Sequence, residues 1–247
     1  LAAVAAGPEA LAAAVAEARA AGARHVACDA VTDAHLAVIA AAARAHFPAA
    51  LLCGPAGLAA GLAHVLGRSP TSPPTGAPPR LRRMLWVCGS ASEVLQRQLA
   101  ALAARTGVLP RAVPAGELAQ ASDPGRFRRL ARELAAGWER GLRVLAVAPG
   151  VPAADPARVV EGLAAAACAV LERVAPEGLL LTGGDTAEAL WRRLGAQAVR
   201  MEAEALPGIM RGRWVGGGQD GCTVVTKAGA FGAPETLCTL HDQLLEP

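Results

Sequence analysis

The run from residue 178 to residue 191 constrains the fold more than any other stretch of this sequence. Residues 178–182 form an apolar run of strand length, and two glycines then lead into a helical pattern. Paired glycines permit a sharp turn and a close approach of the backbone to a ligand. Asp185 and Glu188 have the spacing of a capping box, which predicts that a helix begins there. The run therefore predicts a strand–turn–helix unit of an α/β domain.

This turn has the features of a phosphate site, and a second turn downstream shares them. The first N–H groups of a helix lack partners within the helix and lie at the positive end of its dipole, which favours anions. A strand-like run at residues 223–227 ends in Lys227 and is followed by Gly229 and Gly232. Lys227 is the only lysine of the chain, and an ammonium group suits phosphate oxygens. Because short glycine motifs also occur in ordinary strand–helix connections, the structural interpretation stays open for either turn alone.

A third strand-to-helix turn carries hydroxyl groups. Residues 84–89 form an apolar run that ends in a glycine, Ser90 follows, and Ser92 precedes a helical pattern to about residue 106. A serine immediately before a helix is a common N-cap. Taken alone, this turn is therefore better explained by helix capping than by ligand binding.

Strands that alternate with helices predict an α/β fold, with parallel or mixed sheets flanked by helices. We expect two such domains, of which the first is incomplete. Residues 1–66 have the pattern of the C-terminal part of one domain, with strands at 24–30 and 49–54 and a helix capped by Thr32 or Asp33. The proline-rich residues 67–80 predict a semi-rigid linker. Residues 81–247 then form the second domain, and the chain is expected to begin within the first.

Capping residues, prolines and glycines mark further element boundaries in the second domain. Asp123-Pro124 and Asp155-Pro156 each have a capping residue followed by proline, which predicts two helix starts. Glycine and proline make residues 206–218 resemble a loop. The remaining predicted elements are strands at 109–113, 142–148 and 197–201 and a last helix at 234–245.

Composition argues against several classes of partner and chemistry. The chain has three Phe, four Trp, no Tyr and a net charge of +3, which disfavours binding to nucleic acid. Its six cysteines are dispersed without a C-x-x-C pair, which disfavours zinc and thioredoxin-type sites and is typical of reduced thiols in a cytoplasmic protein. No apolar run has the length needed to span a membrane.

Together, the three turns resemble a known family. Their order and separation are similar to those in the nucleotide-binding domain of the four-carbon acid sugar kinase family, which contains ATP-dependent kinases of acids such as threonate, erythronate and 3-oxo-tetronate. The motifs are Gly89-Ser90-x-Ser92 with Gln98 behind it, Gly183-Gly184-Asp185-Thr186, and Lys227-x-Gly229-x-Phe231-Gly232. The segments Asp29-Ala30, Gly54-x-x-Gly57-Leu58 and Leu206-Pro207-Gly208 also look like family elements.

The resemblance implies a function for the turns. Ser90, Gly183, Gly184, Asp185, Thr186 and Gly229 would contact ATP, and Lys227 would neutralise its phosphates. For Asp185 two alternatives stay open: the carboxylate holds Mg²⁺ against the phosphates, or it caps its helix and faces away. The substrate would be a small sugar acid, and no residue is assigned as the catalytic base.

This sequence also departs from the family pattern. Leu95 stands where family members often have threonine, and Pro55 stands where they often have serine. The Asp-Asp-x-Thr-Gly type of segment that opens the family's substrate domain does not occur here.

Two other hypotheses follow from different functional classes. The chain can be a nucleotide-binding module without turnover, since the family's N-terminal substrate segment is absent from this sequence. A dinucleotide-dependent oxidoreductase is disfavoured because no G-x-G-x-x-G motif opens a βαβ unit with an acidic residue downstream. The oligomeric state also stays open, with a homo-oligomer as one possibility.

Overall fold

The structure is a computed structural model that describes residues 1–68, 80–120, 126–150 and 155–246. The chain divides into two units, Leu1–Ser72 and Pro73–Pro247. Most of the expected proline-rich linker lies outside the described residues. The same holds for the predicted helix start at Asp123-Pro124.

The first unit contains helices only, in the part that the structure describes. Thr32 caps the third helix as predicted, because its hydroxyl oxygen accepts a hydrogen bond from the N–H of His35 at 3.2 Å. A small apolar cluster around Val4, Leu11 and Ala42 joins the first three helices. The helices are α1 (Ala2–Ala5), α2 (Pro8–Ala20), α3 (Asp33–His46) and α4 (Ala56–Val65).

The two strands predicted for this unit are wrong. Residues 24–30 and 49–54 have strand-like composition, but neither forms a strand among residues 1–68. Leu51 is 96% exposed. A strand is defined by its hydrogen bonds to a neighbouring strand, and these two segments have no such partner in the described part of the unit.

The second unit is built on a mixed seven-stranded sheet, which confirms the predicted fold class. Its strands lie in the order β2-β3-β1-β4-β7-β6-β5. The first five strands of this order pair in parallel, whereas β6 is antiparallel to both β7 and β5. The bounds are β1 (Arg83–Cys88), β2 (Arg111–Val113), β3 (Gly141–Val147), β4 (Gly178–Thr182), β5 (Ala198–Leu206), β6 (Ile209–Val215) and β7 (Thr223–Lys227).

Helices cover both faces of this sheet. Alternate residues of each central strand point to opposite faces, so Trp86 and Leu180 belong to one apolar core and Leu85 and Leu181 to the other. Helices α5 and α10 pack on the first core, and α6 to α9 pack on the second. Their bounds are α5 (Glu93–Thr106), α6 (Ala115–Ala119), α7 (Arg126–Ala135), α8 (Pro156–Leu171), α9 (Gly184–Leu194) and α10 (Thr236–Leu244).

In the second unit, a helix begins at each of the three predicted starts that the structure describes, but only two of the three predicted capping residues form a cap. Ser92 caps α5 and Asp155 caps α8, each through a side-chain oxygen that accepts backbone N–H groups. Asp185 forms no capping bond, because α9 begins one residue before it. Gly183 is the N-cap residue, and its positive φ of 94° turns the chain directly from strand into helix.

In the predicted loop at residues 206–218, the Pro207-Gly208 turn is confirmed, but residues 209–215 form a strand. Strands β5 and β6 form a hairpin through the Pro207-Gly208 turn, in which Gly208 has a φ of 76°. Ile209 and Trp214 on β6 are each 1% exposed. Because β6 has a paired strand on both sides, cross-strand hydrogen bonds and burial outweigh the loop-like glycine content of its sequence.

The packing of α8 against α6 predicts an unusual effect of a glycine substitution. Replacing an interior helix glycine with alanine normally stabilises the helix by about 1 kcal/mol. A methyl group on Gly162 of α8 would instead overlap the carbonyl oxygen of Leu118. We expect Gly162→Ala to lower the free energy of unfolding by about 1–3 kcal/mol, measured by urea denaturation.

Gly116 is the matched control, because it also lies in a helix and a methyl group there meets no heavy atom within 4 Å. Gly116→Ala should leave stability unchanged or raise it. If both variants had the same stability, the close contact between α8 and Leu118 would be refuted.

Candidate functional site

The three glycine turns identified in the sequence lie side by side at one edge of the sheet. They follow β1, β4 and β7, which are neighbours and run in parallel. The last residues of these strands, Cys88, Thr182 and Lys227, are directly paired across the sheet. Each turn therefore begins at the same level, beyond the carboxyl ends of three adjacent strands.

Hydrogen bonds join neighbouring turns to one another. The N–H of Gly89 donates to the carbonyl oxygen of Thr182 at 3.1 Å, and the N–H of Gly183 donates to that of Lys227 at 3.1 Å. The first and third turns are also linked, because the hydroxyl of Ser92 donates to the carbonyl oxygen of Gly229 at 3.0 Å. The turns thus form one connected group of backbone segments.

Two glycines allow these turns to pack closely. A methyl group on Gly89 would overlap the hydroxyl oxygen of Thr186, and one on Gly229 would overlap the side chain of Ser90. Thr186 is 1% exposed, so its hydroxyl packs against the first turn. Ser90 accepts a hydrogen bond from the N–H of Ser92 at 3.2 Å, which fixes its side chain beside Gly229.

The chain connections change direction at this edge. The helix that follows β1 covers one face of the sheet, whereas the helix that follows β4 covers the other. Open α/β sheets bind ligands beyond the carboxyl ends of their strands at such a change of direction. This change of direction lies between the turns that contain Gly89 and Gly183.

The amino end of α9 is exposed at this edge. No side chain caps the helix, and both Gly184 and Asp185 are exposed. The first N–H groups of a helix have no partner within it, and they lie at the positive end of its dipole. The arrangement suits an anion that accepts hydrogen bonds from the backbone.

Of the two alternatives for Asp185, helix capping is wrong. The carboxylate is exposed and forms no capping bond. No group of three or more His, Cys, Asp or Glu side chains that could hold a metal ion occurs among the described residues. Mg²⁺ that is bound chiefly through phosphates needs only one or two carboxylates from the protein.

Lys227 is a buried cation at the base of the turns. Its side chain is 3% exposed, and its ammonium group donates to the carbonyl oxygen of Ala228 at 2.9 Å. Desolvation lowers the pKa of Lys227, and the nearby Cys88 opposes this to a smaller extent. No carboxylate lies within 4 Å of the ammonium group in the part of the chain that the structure describes.

Cys88 itself is not a nucleophile. Burial raises the pKa of its thiol to about 12, although Thr182 and Lys227 both act in the opposite direction. The thiol is therefore protonated at neutral pH, and thiolate is the reactive form. Cys88 belongs to the packing beneath the turns.

Two further residues support the site, and reasoning from the sequence did not assign them this role. Gln98 on α5 is fully buried, and its amide nitrogen donates to the carbonyl oxygens of Phe231 at 3.0 Å and Ala233 at 2.8 Å. Ser92, predicted as an N-cap alone, also binds Gly229. The sequence contained one signal for the role of Gln98, because this polar residue lies on the same helix face as Leu95 and Leu102. A polar side chain on a buried face needs a hydrogen-bond partner.

The departure at Leu95 has a structural explanation. Leu95 is fully buried in the apolar core beneath α5. A side chain at this position faces the core and not the turn, so the loss of a hydroxyl there leaves the turn's own hydrogen bonds intact.

No helix within the described residues combines the length and the apolar character that crossing a membrane requires.

Two parts of the chain match models of known domains. Residues 85–237 match the model of a nucleotide-binding C-terminal domain, and residues 1–62 match that of a sugar-binding N-terminal domain. A D-threonate kinase from Cupriavidus necator is 32% identical over 226 residues, which are 87% of this chain and 52% of that protein. A D-erythronate kinase from Heliobacterium modesticaldum is 37% identical over 90 residues, or 36% of this chain and 20% of that protein.

Solved structures are similar over nearly the whole chain. A Bordetella bronchiseptica protein of the DUF1537 type, crystallised with citrate as a domain-swapped dimer, has a TM-score of 0.55 at 28% identity, covering 98% of this chain and 58% of that one. A Salmonella typhimurium protein described as a putative tRNA synthase has a TM-score of 0.69 at 20% identity, with the same coverage of both chains. At that identity, the likeness to the second protein concerns the fold.

The chain spans about half the length of the Cupriavidus necator threonate kinase. Both of its matched domains are those of one family, and the nucleotide-binding match covers all three turns. The chain therefore belongs to the four-carbon acid sugar kinase family.

Proposed function

We propose that this protein is an ATP-dependent kinase that phosphorylates a four-carbon acid sugar of the threonate, erythronate or 3-oxo-tetronate class. The observation that carries the proposal is the convergence of three glycine turns beyond three adjacent parallel strands. Kinases achieve phosphoryl transfer largely by positioning phosphates and neutralising their charge. At this edge, backbone N–H groups would position the phosphates, and one buried cation would neutralise their charge.

The phosphate chain of ATP would lie against the turns. The N–H groups of Gly184, Asp185 and Thr186 at the start of α9 would donate to phosphate oxygens. Ser90 of the first turn and Gly229 of the third turn are in contact, and together they would form one side of the phosphate site. Because Thr186 has a buried hydroxyl, its contribution would come through its backbone.

Lys227 would supply the positive charge. A buried ammonium group without a carboxylate partner is costly, and a bound phosphate would offset that cost. The pKa of Lys227, lowered by desolvation, would then rise when an anion binds beside it. This gives the only lysine of the chain a role that arginine would fill less well, because an ammonium group is compact.

Asp185 fits a Mg²⁺ ion that is held mainly by ATP. Its exposed carboxylate lies in the first turn of α9, next to the N–H groups that would bind the phosphates. Mg²⁺ usually takes one or two carboxylates together with substrate phosphates and water. The ion would also remove the repulsion between Asp185 and the phosphates.

The substrate class rests on the relatives. Proteins named D-threonate kinase and D-erythronate kinase are similar to this chain, and its residues 1–62 match a sugar-binding domain. In the proposed reaction a hydroxyl oxygen of the acid bonds to the γ-phosphorus of ATP, the bond to the β–γ bridging oxygen breaks, and ADP leaves. The hydroxyl proton passes to solvent or to a base.

A second candidate is a nucleotide-binding module without turnover. It is favoured because the turns would account for nucleotide binding, whereas no residue of this sequence is assigned as the catalytic base. Such a module would keep the turns and bind ATP, but it would not release ADP in response to a sugar acid.

We further propose a cytoplasmic protein whose partners are small molecules. All six cysteines are free, as expected in a reducing compartment. A homo-oligomer is compatible with the domain-swapped dimer of the Bordetella protein, although that assembly is a property of that protein.

An assay of ADP release distinguishes the two candidates. With ATP and Mg²⁺ present, a kinase should release ADP in proportion to added D-threonate, D-erythronate or a 3-oxo-tetronate, measured with a coupled enzyme assay. Binding of ATP by calorimetry without acid-dependent release would support the module. Absence of ATP binding would refute both.

Gly184 offers a direct test of the phosphate site. A methyl group there meets no heavy atom within 4 Å, so Gly184→Ala should fold normally. The methyl group would nevertheless intrude on phosphates that lie against the backbone. We expect ATP affinity, measured by calorimetry, to fall about tenfold, which is about 1.4 kcal/mol.

The matched control for this test is Gly218→Ala, because Gly218 is also exposed and has free space around its α-carbon. This variant should bind ATP as the wild type does. Equal affinity in the Gly184 and Gly218 variants would remove the first turn of α9 from the site.

The buried charge of Lys227 predicts how stability depends on pH. Desolvation lowers the pKa of Lys227 in the folded protein below its ordinary value of 10.5, so the unfolded chain holds this proton to higher pH. The free energy of unfolding therefore rises as pH increases from the lowered pKa to about 10.5. We expect wild type to gain stability relative to Lys227→Met over this range, measured by urea denaturation.

The composition makes this comparison unusually clean. The chain has no tyrosine and no other lysine, so cysteines and the terminal amine are its other groups that titrate at alkaline pH. Burial raises the pKa of Cys88 and Cys222 and acts on stability in the opposite direction, but both variants share those thiols. A stability difference that stayed constant with pH would contradict a desolvated ammonium group at position 227.

A further inference from the structure

We propose that the exposed ring of Phe231 is the seat of the nucleobase of the bound nucleotide. The proposal rests on the proposed function, because it places a second part of the ATP molecule beside the turns that would bind its phosphates. Phe231 is 43% exposed, although the chain contains only three phenylalanines and no tyrosine. An exposed aromatic ring next to a candidate nucleotide site calls for an explanation beyond core packing.

The ring lies on the backbone of the β5–β6 hairpin turn. A methyl group on Gly208 would come within 2.8 Å of Cζ and 2.9 Å of Cε1 of Phe231. The hairpin turn lies at the same edge of the sheet as the three glycine turns, because β5 runs in the same direction as β7. The backbone of Gly208 therefore supports one part of the ring, and the rest stays open to solvent.

Both supports of the ring are held in place. Gln98, which is fully buried, donates to the carbonyl oxygen of Phe231 itself and to that of Ala233. On the other side, the N–H of Gly208 donates to a carboxylate oxygen of Glu204 at 2.6 Å. The ring is therefore presented by two anchored backbone segments, as a preorganised binding surface requires.

The position of the ring relative to the phosphate turns fits a nucleotide. Phe231 is two residues from Gly229, which spans at most about 7 Å of chain. Gly229 in turn contacts Ser90 and accepts the hydroxyl of Ser92. The ring is therefore within reach of a ligand whose phosphates lie on these turns, on the hairpin side of the third turn.

The chemistry of the ring favours a base over the acid substrate. A sugar acid needs cations and hydrogen-bond donors, and a phenyl ring offers neither. Every nucleobase has a π-face, and stacking on an aromatic side chain is worth roughly 1–3 kcal/mol. Because stacking does not depend on the identity of the base, we expect nucleoside triphosphates with different bases to differ only modestly in affinity.

The experiment compares two ligands that share the phosphates and differ in the base. Calorimetry would measure binding of Mg·ATP and of inorganic Mg·tripolyphosphate to the full 247-residue chain, for wild type, Phe231→Leu and Phe231→Trp. Leucine keeps an apolar contact with Gly208 but removes the π-face, and tryptophan restores a larger one. Circular dichroism would establish that each variant is folded.

We expect Phe231→Leu to weaken binding of Mg·ATP roughly 5- to 150-fold, which is the range of a lost base–aromatic stack. Tripolyphosphate affinity should stay within about twofold, and Phe231→Trp should restore ATP affinity. An equal loss for both ligands would mean that Phe231 only shapes its loop, and this would overturn the proposal. Unchanged ATP affinity in Phe231→Leu would overturn it as well.

Failure of the proposed function has a different signature. In that case wild type would bind neither ATP nor tripolyphosphate, and the nucleobase seat would fall with the phosphate site. If wild type binds both ligands and Phe231→Leu binds them with the same affinities, the nucleobase site at Phe231 is rejected. The phosphate site is still supported in that case.

Discussion

The in-register parallel pairing of β1, β4 and β7 is the constraint on which the rest of the second unit depends. Cys88, Thr182 and Lys227 lie in one row across the sheet, so the three turns that follow them leave the sheet at one level. A shift of one residue in any of these strands would move every side chain of that strand to the opposite face. The two apolar cores oppose such a shift, and they therefore also hold the turns together.

Close packing at this edge demands particular residues. Gly89 leaves room for the side chain of Thr186, and Gly229 leaves room for that of Ser90. A methyl group at either glycine would collide with the neighbouring side chain. The hydroxyl of Ser92 and the amide of Gln98 then tie the third turn to α5. Lys227 is the costly element of this assembly, because its charge is buried with a single carbonyl as its hydrogen-bond acceptor among the described residues. Such strain is common at sites where a ligand completes the electrostatic balance.

Prediction from the sequence succeeded where local patterns decide the structure, and failed where pairing does. Asp155 and Ser92 were correctly predicted as helix caps, since a cap depends on a few neighbouring residues. Strand-like residues 24–30 and 49–54 formed no strand among the described residues, and loop-like residues 209–215 formed one. In each case the presence or absence of a neighbouring strand outweighed composition, and a single sequence does not contain that information.

The sequence by itself determined the three turns, their order and the one lysine among them, because glycine, serine and lysine at strand ends have local physical meanings. Only the tertiary structure decided that these turns touch, that Asp185 leaves its helix uncapped, and that Ser92 and Gln98 join α5 to the third turn. It also decided that the ring of Phe231 lies on Gly208, more than twenty residues away in sequence. Contacts of this kind depend on strand order and register, which result from the burial of the whole sheet and not from any one segment.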